Sequence, residues 1–411
     1  MRLIDELKAR ELYFATTDES FGDYLENNKV TFYLGADPTG DSLHVGHLVT
    51  YLVAKRFLEH GHHPILLIGG ATGLIGDPKM QGERKMLDTS ITLKNSLSLE
   101  KQVREIFGFD KIVNNYDWTH KIDIITFLRD YGKEFNVNYM INKDTVKSRL
   151  ETGISYTEFS YQILQALDWN YLYQNENCNV QIGGQDQWGN MTSGIELIRK
   201  KNGPDAKVYA LTIPLILKSD GTKFGKSEGG KSVWLDKEKT SPYEFYQFWI
   251  NTPDNEVIKR LKQFTFLSLE EISKIEEEFI KEPHLRLAQR VLAQEITTFV
   301  HGVKAYEQAK KITDALFNGN IKDLTAEEIT MGFNELPSIN VQDSILLIDA
   351  LVESALASSK REAREFVNGG SVLINGERIK DLEFTVKKED AFGQSKTVIR
   401  RGKKNYFVLK Y

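Results

Sequence analysis

The stretch 31–48, TFYLGADPTGDSLHVGHL, limits what this chain can fold into more than any other. It opens on a short strand-like run over 30–34. Gly35, the pair Asp37 and Pro38, and Gly40 then break the run. After Ser42 a helical pattern starts, with apolar residues at Leu43, Leu48 and Leu52 and with Val45 and Val49 beside them. Strand, Gly/Pro turn and helix start make the first half of a βαβ unit. Ligands gather in such units where the strand's carboxyl end meets the helix's amino end. His44 and His47, three residues apart, lie on one helix face. Gly46 between them lets a flat ring or a phosphate approach the backbone, and Thr39 adds a hydroxyl donor. A bare His-x-x-His pair also fits surface histidines or half of a metal site; turn, glycine and donors together favour a ligand site.

Further on, the pattern alternates. A helix is expected over 43–60 and an all-apolar run over 64–68, the mark of a parallel strand buried on both faces. Strands are also expected over 180–184 and 211–217, the first ending in Gly183-Gly184. Alternation of this kind predicts an α/β fold with a doubly wound parallel sheet. The segment GGATGLIGDP, 69–78, lacks the GxGxxG order, so no dinucleotide fingerprint is present. Residues 113–168 are apolar and helical in pattern and read as an insertion between the two halves of the sheet. Residues 241–318 carry apolar positions at helical spacing, 319–343 read as a linker, and from 344 helices and short strands resume. The expected division is therefore an α/β domain over 1–222, a loop and helical domain over 223–318, a linker over 319–343 and a small α+β domain over 344–411.

Charge supports that division. The chain carries a net −5, yet 344–411 holds 13 Lys and Arg against 9 Asp and Glu, a net of +4 that leaves −9 on the rest. A basic tail on an acidic body suits a nucleic-acid module joined to a catalytic one, although scattered charge alone gives such a difference. One cysteine, Cys178, excludes a disulfide framework and a thiolate zinc site within the chain and reads as a buried small hydrophobe. The first residues, MRLIDELKAREL, are charged throughout, and no apolar run of about 18 residues exists. The cytoplasm, with no membrane span, is the expectation.

DPTGDSLHVGH resembles the HIGH signature of class I aminoacyl-tRNA synthetases with Val for Ile, and Lys223-Phe224-Gly225-Lys226-Ser227 resembles their KMSKS signature. Spacing, order and intervening sequence are similar to the bacterial tyrosyl enzymes over nearly the whole chain, and SSKREAREFVNGGSVLINGERI resembles an S4 RNA-binding domain. The resemblance implies a Rossmann-like core, a helical anticodon-binding domain and an S4-like tail; ATP as substrate with Mg²⁺ bound to it and no protein metal cage; L-tyrosine and tRNA(Tyr) as partners; and a homodimer formed through the insertion. A tryptophanyl enzyme on the same scaffold, or a non-catalytic RNA-binding relative, are the alternatives.

Site residues follow from the resemblance. Thr39, His44, His47, Lys223, Lys226 and Ser227 fall at the phosphate-handling, catalytic positions. Tyr33 and Asp168 match the pair that faces the substrate phenol, a group that both donates and accepts. Asp77, Tyr161 and Gln165 match the α-ammonium site, and Tyr161, Gln165 and Asp168 recur at i, i+4 and i+7 on one helix face. Gln187 matches a position near the substrate carboxylate. Asp37, Gly46, Thr50, Gly184, Asp186 and Lys226 match nucleotide contacts. Leu34 stands where many relatives have a cysteine near the ribose, and 77–85 is one residue shorter than the usual pattern, with Arg84 matching a basic residue near the phosphates and Lys79 and Lys85 of uncertain alignment. GTKFGKS has only three residues between Gly221 and Gly225, one too few for a P-loop.

Overall fold

The computed structural model describes all residues except 80, 81, 84, 85, 220, 223, 227–229, 319, 334, 335, 403 and 404. The expected Lys223, Ser227, Arg84 and Lys85 lie outside the described residues. The chain forms two compact units, Met1–Lys239 with Asn251–Leu292, and Thr240–Ile250 with Ala293–Tyr411.

The first unit is built on six strands: β1 (Ala15–Thr16), β2 (Thr31–Ala36), β3 (His63–Ile68), β4 (Lys111–Asn114), β5 (Cys178–Gly184) and β6 (Tyr209–Ile213). Their order is β1-β6-β5-β2-β3-β4. β2 pairs in parallel with both β3 and β5, β3 with β4, and β5 with β6; β1 closes one edge antiparallel to β6. The chain thus runs outward from β2 to β3 and β4, then returns to β5 and β6 on the other side. β2 and β5 form the topological switch point, where open α/β sheets leave a crevice beyond their carboxyl ends.

β2 shows why its sequence is apolar on both faces. Phe32 meets Phe57 of the helix Val45–Glu59, with ring centroids 5.2 Å apart. Tyr33, its neighbour, points to the opposite face and meets Trp169 of the helix Tyr156–Glu176 at 6.0 Å. Tyr33, Trp169, Leu167, Ile195 and Ala210 share one buried cluster, so the side chain expected to face substrate hangs from the core. Cys178 is fully buried in the same cluster, and burial pushes its thiol up.

Two expectations need correction. The second half of β4 and Asn115 fall inside the region read as a helical insertion; the remainder of that region carries only short helices before Tyr156–Glu176. A four-residue strand has too little periodicity to stand out there. Likewise 319–343, read as a linker, carries the helix Ala326–Phe333 and the strand β7 (Ser338–Asn340).

In the second unit β7 pairs in parallel with the strand Asn405–Lys410 within a five-stranded sheet. Ile329 and Phe333 pack with Ile312 and Ala315 of the helix Val303–Asn318 and with Val398 and Val408. The apolar positions of the supposed linker are spent on that core. The helix Lys360–Asn368 begins at the capping residue Ser359, and Lys360, Arg361 and Arg364 are exposed on it.

Candidate active site

A cleft of about 440 Å³ opens beyond the carboxyl ends of β2 and β5. Tyr33, Asp37, Thr39, Gly46, His47 and Thr50 line it from β2, the turn and the following helix. Asp77, Tyr161, Gln165, Asp168, Gly184, Asp186 and Gln187 line it from the loop after β3, the helix Tyr156–Glu176 and the end of β5. His44 and Lys226 are not among the lining residues: His44 caps the helix at the cleft's edge, and Lys226 is exposed.

One end of the cleft is a buried polar pair. Tyr33 is 1% exposed and its hydroxyl has no hydrogen-bond partner among the described residues. Burial, and then the Asp168 charge, pushes its ionisation well above the ordinary phenol range. Asp168 is 2% exposed. Asn115 Nδ2 and Trp118 Nε1 each donate to one of its carboxylate oxygens at 2.8 Å. Burial still pushes its carboxyl up to about 7, against the lowering pull of those two donors. A carboxylate with one donor on each oxygen and a hydroxyl with none make a site for a group that donates to one and accepts from the other.

Two further clusters lie along the wall. Tyr161 Oη donates to Asp37 Oδ2 at 2.9 Å, and Thr72 Oγ1 donates to Asp37 Oδ1 at 2.8 Å. Tyr161, expected with Asp77 and Gln165 at the ammonium site, thus bonds the aspartate assigned to the nucleotide side. Asn115 Nδ2 also reaches Thr72 Oγ1 at 2.9 Å, tying this cluster to Asp168. Gly69 allows the arrangement, because a Cβ there would lie 2.0 Å from Asp37 Oδ1. In the second cluster Gln187 Nε2 donates to Asp77 Oδ2 at 2.9 Å, and Asn190 Nδ2 reaches Gln165 Oε1 at 3.0 Å.

At the opposite end, the two signature segments meet. His44 is the N-cap of Val45–Glu59, outside the helix proper and not on its face as expected. Its Nδ1 accepts from the Gly46 N–H at 3.0 Å, and His47 Nδ1 accepts from the His44 N–H at 3.3 Å. The rings stack with centroids 3.8 Å apart. These bonds require both imidazoles to carry their proton on Nε2, leaving one N–H each as a donor. Burial pushes His44 below the ordinary imidazole value. His47, though exposed, is pushed the same way by the protein packed around it and then by His44. Both are therefore neutral donors at pH 7.

The lysine segment packs onto this cap. The Val45 N–H donates to Val233 O at 2.9 Å, and the Val233 N–H donates to Gly225 O at 3.0 Å. Gly225 has φ +100°, and a Cβ on it would sit 2.9 Å from the Gly46 amide nitrogen. The central glycines of the two signatures are thus in backbone contact, which no other residue type permits.

Sequence reasoning missed Asn115, Trp118, Thr72 and Asn190. Asn115 follows the carboxyl end of β4, the position where ligand-side residues collect in parallel sheets, so recognising that strand would have found it. Among the described residues no group of three or more His, Cys, Asp or Glu is placed to hold a metal, and no helix is long and apolar enough to cross a membrane.

Residues 25–318 match the family of class I tRNA synthetases (W and Y), and 328–409 match the tyrosine–tRNA ligase SYY-like C-terminal domain. The chain is 53% identical to a tyrosine–tRNA ligase of Listeria monocytogenes over 419 aligned positions, covering all of both chains. It is 53% identical to tyrosine–tRNA ligase 2 of Bacillus cereus, covering all of this chain and 99% of that one. A truncated mitochondrial tyrosyl-tRNA synthetase from Aspergillus nidulans superposes with a TM-score of 0.69 at 32% identity, covering 77% of this chain and 94% of that one.

Proposed function

Because the chain belongs to the class I tRNA synthetases of the tryptophan and tyrosine type, we propose that its cleft joins L-tyrosine to ATP and that the product charges tRNA(Tyr), the work of a tyrosine–tRNA ligase. A carboxylate oxygen of tyrosine attacks the α-phosphorus of ATP, the bond to the β-phosphate oxygen breaks, and pyrophosphate leaves. A hydroxyl of the terminal ribose of tRNA then attacks the acyl carbon, and AMP leaves. The attacking carboxylate is already ionised, so the first step needs alignment and charge stabilisation more than a base.

The observation that carries the choice of tyrosine is the unpartnered Tyr33 hydroxyl beside the donor-held Asp168. A phenol entering there donates to Asp168 and accepts from Tyr33. Phenylalanine leaves the Tyr33 hydroxyl buried and unpaired and brings Asp168 no further donor, which is costly; tyrosyl-tRNA synthetases are themselves the established example of such discrimination, about 10⁵-fold. An indole N–H only donates and leaves Tyr33 unanswered. Asp77, Tyr161, Gln165 and Gln187 take the amino-acid end. Asp37, Gly46, Thr50, Gly184 and Asp186 take the nucleoside, with the two aspartates as acceptors for ribose hydroxyls. Thr39 and the Nε2–H donors of His44 and His47 meet the phosphates from the fixed side. Lys223, Lys226 and Ser227 meet them from the lysine segment, where charge grows in the transition state. Mg²⁺ enters with ATP, held by phosphate oxygens and water.

The C-terminal basic surface serves tRNA, a second copy pairs through the insertion, and the enzyme works in the cytoplasm. Exchange of labelled pyrophosphate into ATP tests the reading. Tyrosine drives it, while phenylalanine and tryptophan do not; exchange driven by tryptophan would overturn it.

A further inference from the structure

We propose that Asn190 is the positioning residue of the ammonium site, the group that holds three tyrosine-binding side chains in one arrangement. The inference rests on the assignment of Asp77, Gln165 and Gln187 to the amino-acid end of the substrate. Asn190 lies in the first turn of the helix Trp188–Asn202, does not line the cleft and is half-buried behind it. Its amide nitrogen lies 3.3 Å from Asp77 Oδ1, 3.0 Å from Gln165 Oε1 and 3.3 Å from Gln187 Oε1. Two N–H bonds are thus shared among three acceptor oxygens that come from three separate elements.

The consequence is directional. A carboxamide is symmetric in shape but not in chemistry, so something must decide which end of Gln187 faces Asp77. Asn190 takes the Gln187 oxygen, which turns the Gln187 Nε2 onto Asp77 Oδ2 at 2.9 Å. The same donor fixes the Gln165 oxygen on the Asp77 side of the cleft. A cationic amine then meets oxygens of Asp77 and Gln165, while the Gln187 N–H stays held on Asp77 Oδ2. Without Asn190 both glutamines are free to rotate and to present N–H groups to an ammonium.

The turn that carries Asn190 is itself anchored. Lys143 Nζ donates to Gly189 O and to Ser193 Oγ, so the residue preceding Asn190 and the residue three after it share one clamp from a neighbouring segment. The Lys143 ammonium lies 5.5 Å from the Tyr139 ring centre, which adds a second hold on the clamp itself. Asn190 is therefore presented by a fixed backbone.

The test compares L-tyrosine with 3-(4-hydroxyphenyl)propanoate, which lacks only the amine, by calorimetric binding to the full-length wild type and to Asn190→Leu and Asn190→Ala. Wild type prefers tyrosine. Both variants are expected to lose about ten- to a hundred-fold of that preference, the scale of a hydrogen bond to a charged group, while their affinity for the amine-free acid stays within about twofold. Asn190→Ser, which keeps a short donor, restores part of the preference. Equal loss for both ligands, or an undiminished preference in a variant that binds either ligand, overturns the proposal. No preference in the wild type overturns the assignment of the ammonium site itself, an outcome distinguishable from failure of the Asn190 inference alone.

Discussion

Replacing Tyr33 by Phe separates two effects that usually move together. In the free protein the Tyr33 hydroxyl is buried without a partner among the described residues, and a buried unsatisfied polar group costs about 1–3 kcal/mol. Removing it keeps the ring, its contact with Trp169 and the cluster around it. The free protein should therefore unfold at the same temperature or higher, by about 2–4 °C per kcal/mol regained in a unit of this size. Tyrosine binding should move the other way. The lost acceptor contact is worth about 0.5–1.5 kcal/mol, or roughly a two- to twelve-fold weaker affinity. Discrimination against phenylalanine should fall as well, since one of the two groups that phenylalanine leaves unanswered is gone. Calorimetric unfolding of the free protein, with tyrosine and phenylalanine titrations on the same preparation, reads all three. A variant that is less stable when free, yet binds tyrosine as wild type does, refutes the reasoning, because Tyr33 would then be a packing residue whose hydroxyl is already satisfied.

Other outcomes follow from the same geometry. Lys226→Ala should slow pyrophosphate exchange at least tenfold with tyrosine affinity within about twofold, since a transition-state contact lowers turnover and not ground-state binding; parallel losses would contradict that role. Gly225→Ala forces a Cβ against the Gly46 amide at a φ of +100°, costing on the order of 1–3 kcal/mol; exchange should fall while tyrosine binding persists. His62 is 2% exposed and its Nδ1 accepts from the Val30 N–H at 3.3 Å; burial first, then Lys29, holds it down at about 4. Its contribution is full above pH 6.5 and is lost as pH falls towards 4, about 3 kcal/mol in all, so a His62→Asn variant should show a shallower acid loss of stability than wild type in denaturant titrations. Neutralising Lys360, Arg361 and Arg364 together should weaken tRNA binding and flatten its salt dependence without touching pyrophosphate exchange; unchanged charging would remove this helix from the tRNA path.

Much of the cleft was legible because its residues sit at the punctuation of the sheet. Asp37 follows the end of β2 with Tyr33 inside that strand, Gly184 and Asp186 bracket the break after β5, and the His44–His47 pair marks the helix start. Tyr161, Gln165 and Asp168 were assigned by the resemblance; helical spacing put them on one face without saying that this face looks into the cleft. The groups that hold these side chains were not legible. Asn115 and Trp118 reach Asp168 from 53 and 50 residues away in the chain, and Asn190 reaches Asp77 across 113; no periodicity encodes such pairings. The helix Ala326–Phe333 was lost for a related reason. Eight residues with Gly332 in their last turn look like connection until Ile329 and Phe333 meet Val398 and Val408. That shared core also argues against cutting near residue 320 to separate activation from tRNA charging, because the cut would strip Ile312 and Ala315 of their partners.

A crystal structure of the enzyme with L-tyrosine bound tests the central claim most directly. The substrate hydroxyl should lie within about 3.2 Å of both the Tyr33 hydroxyl and an Asp168 oxygen, with the substrate amine facing Asp77 and Gln165. A phenol ring entering the cleft in the reverse sense, or one whose hydroxyl meets neither group, would contradict it.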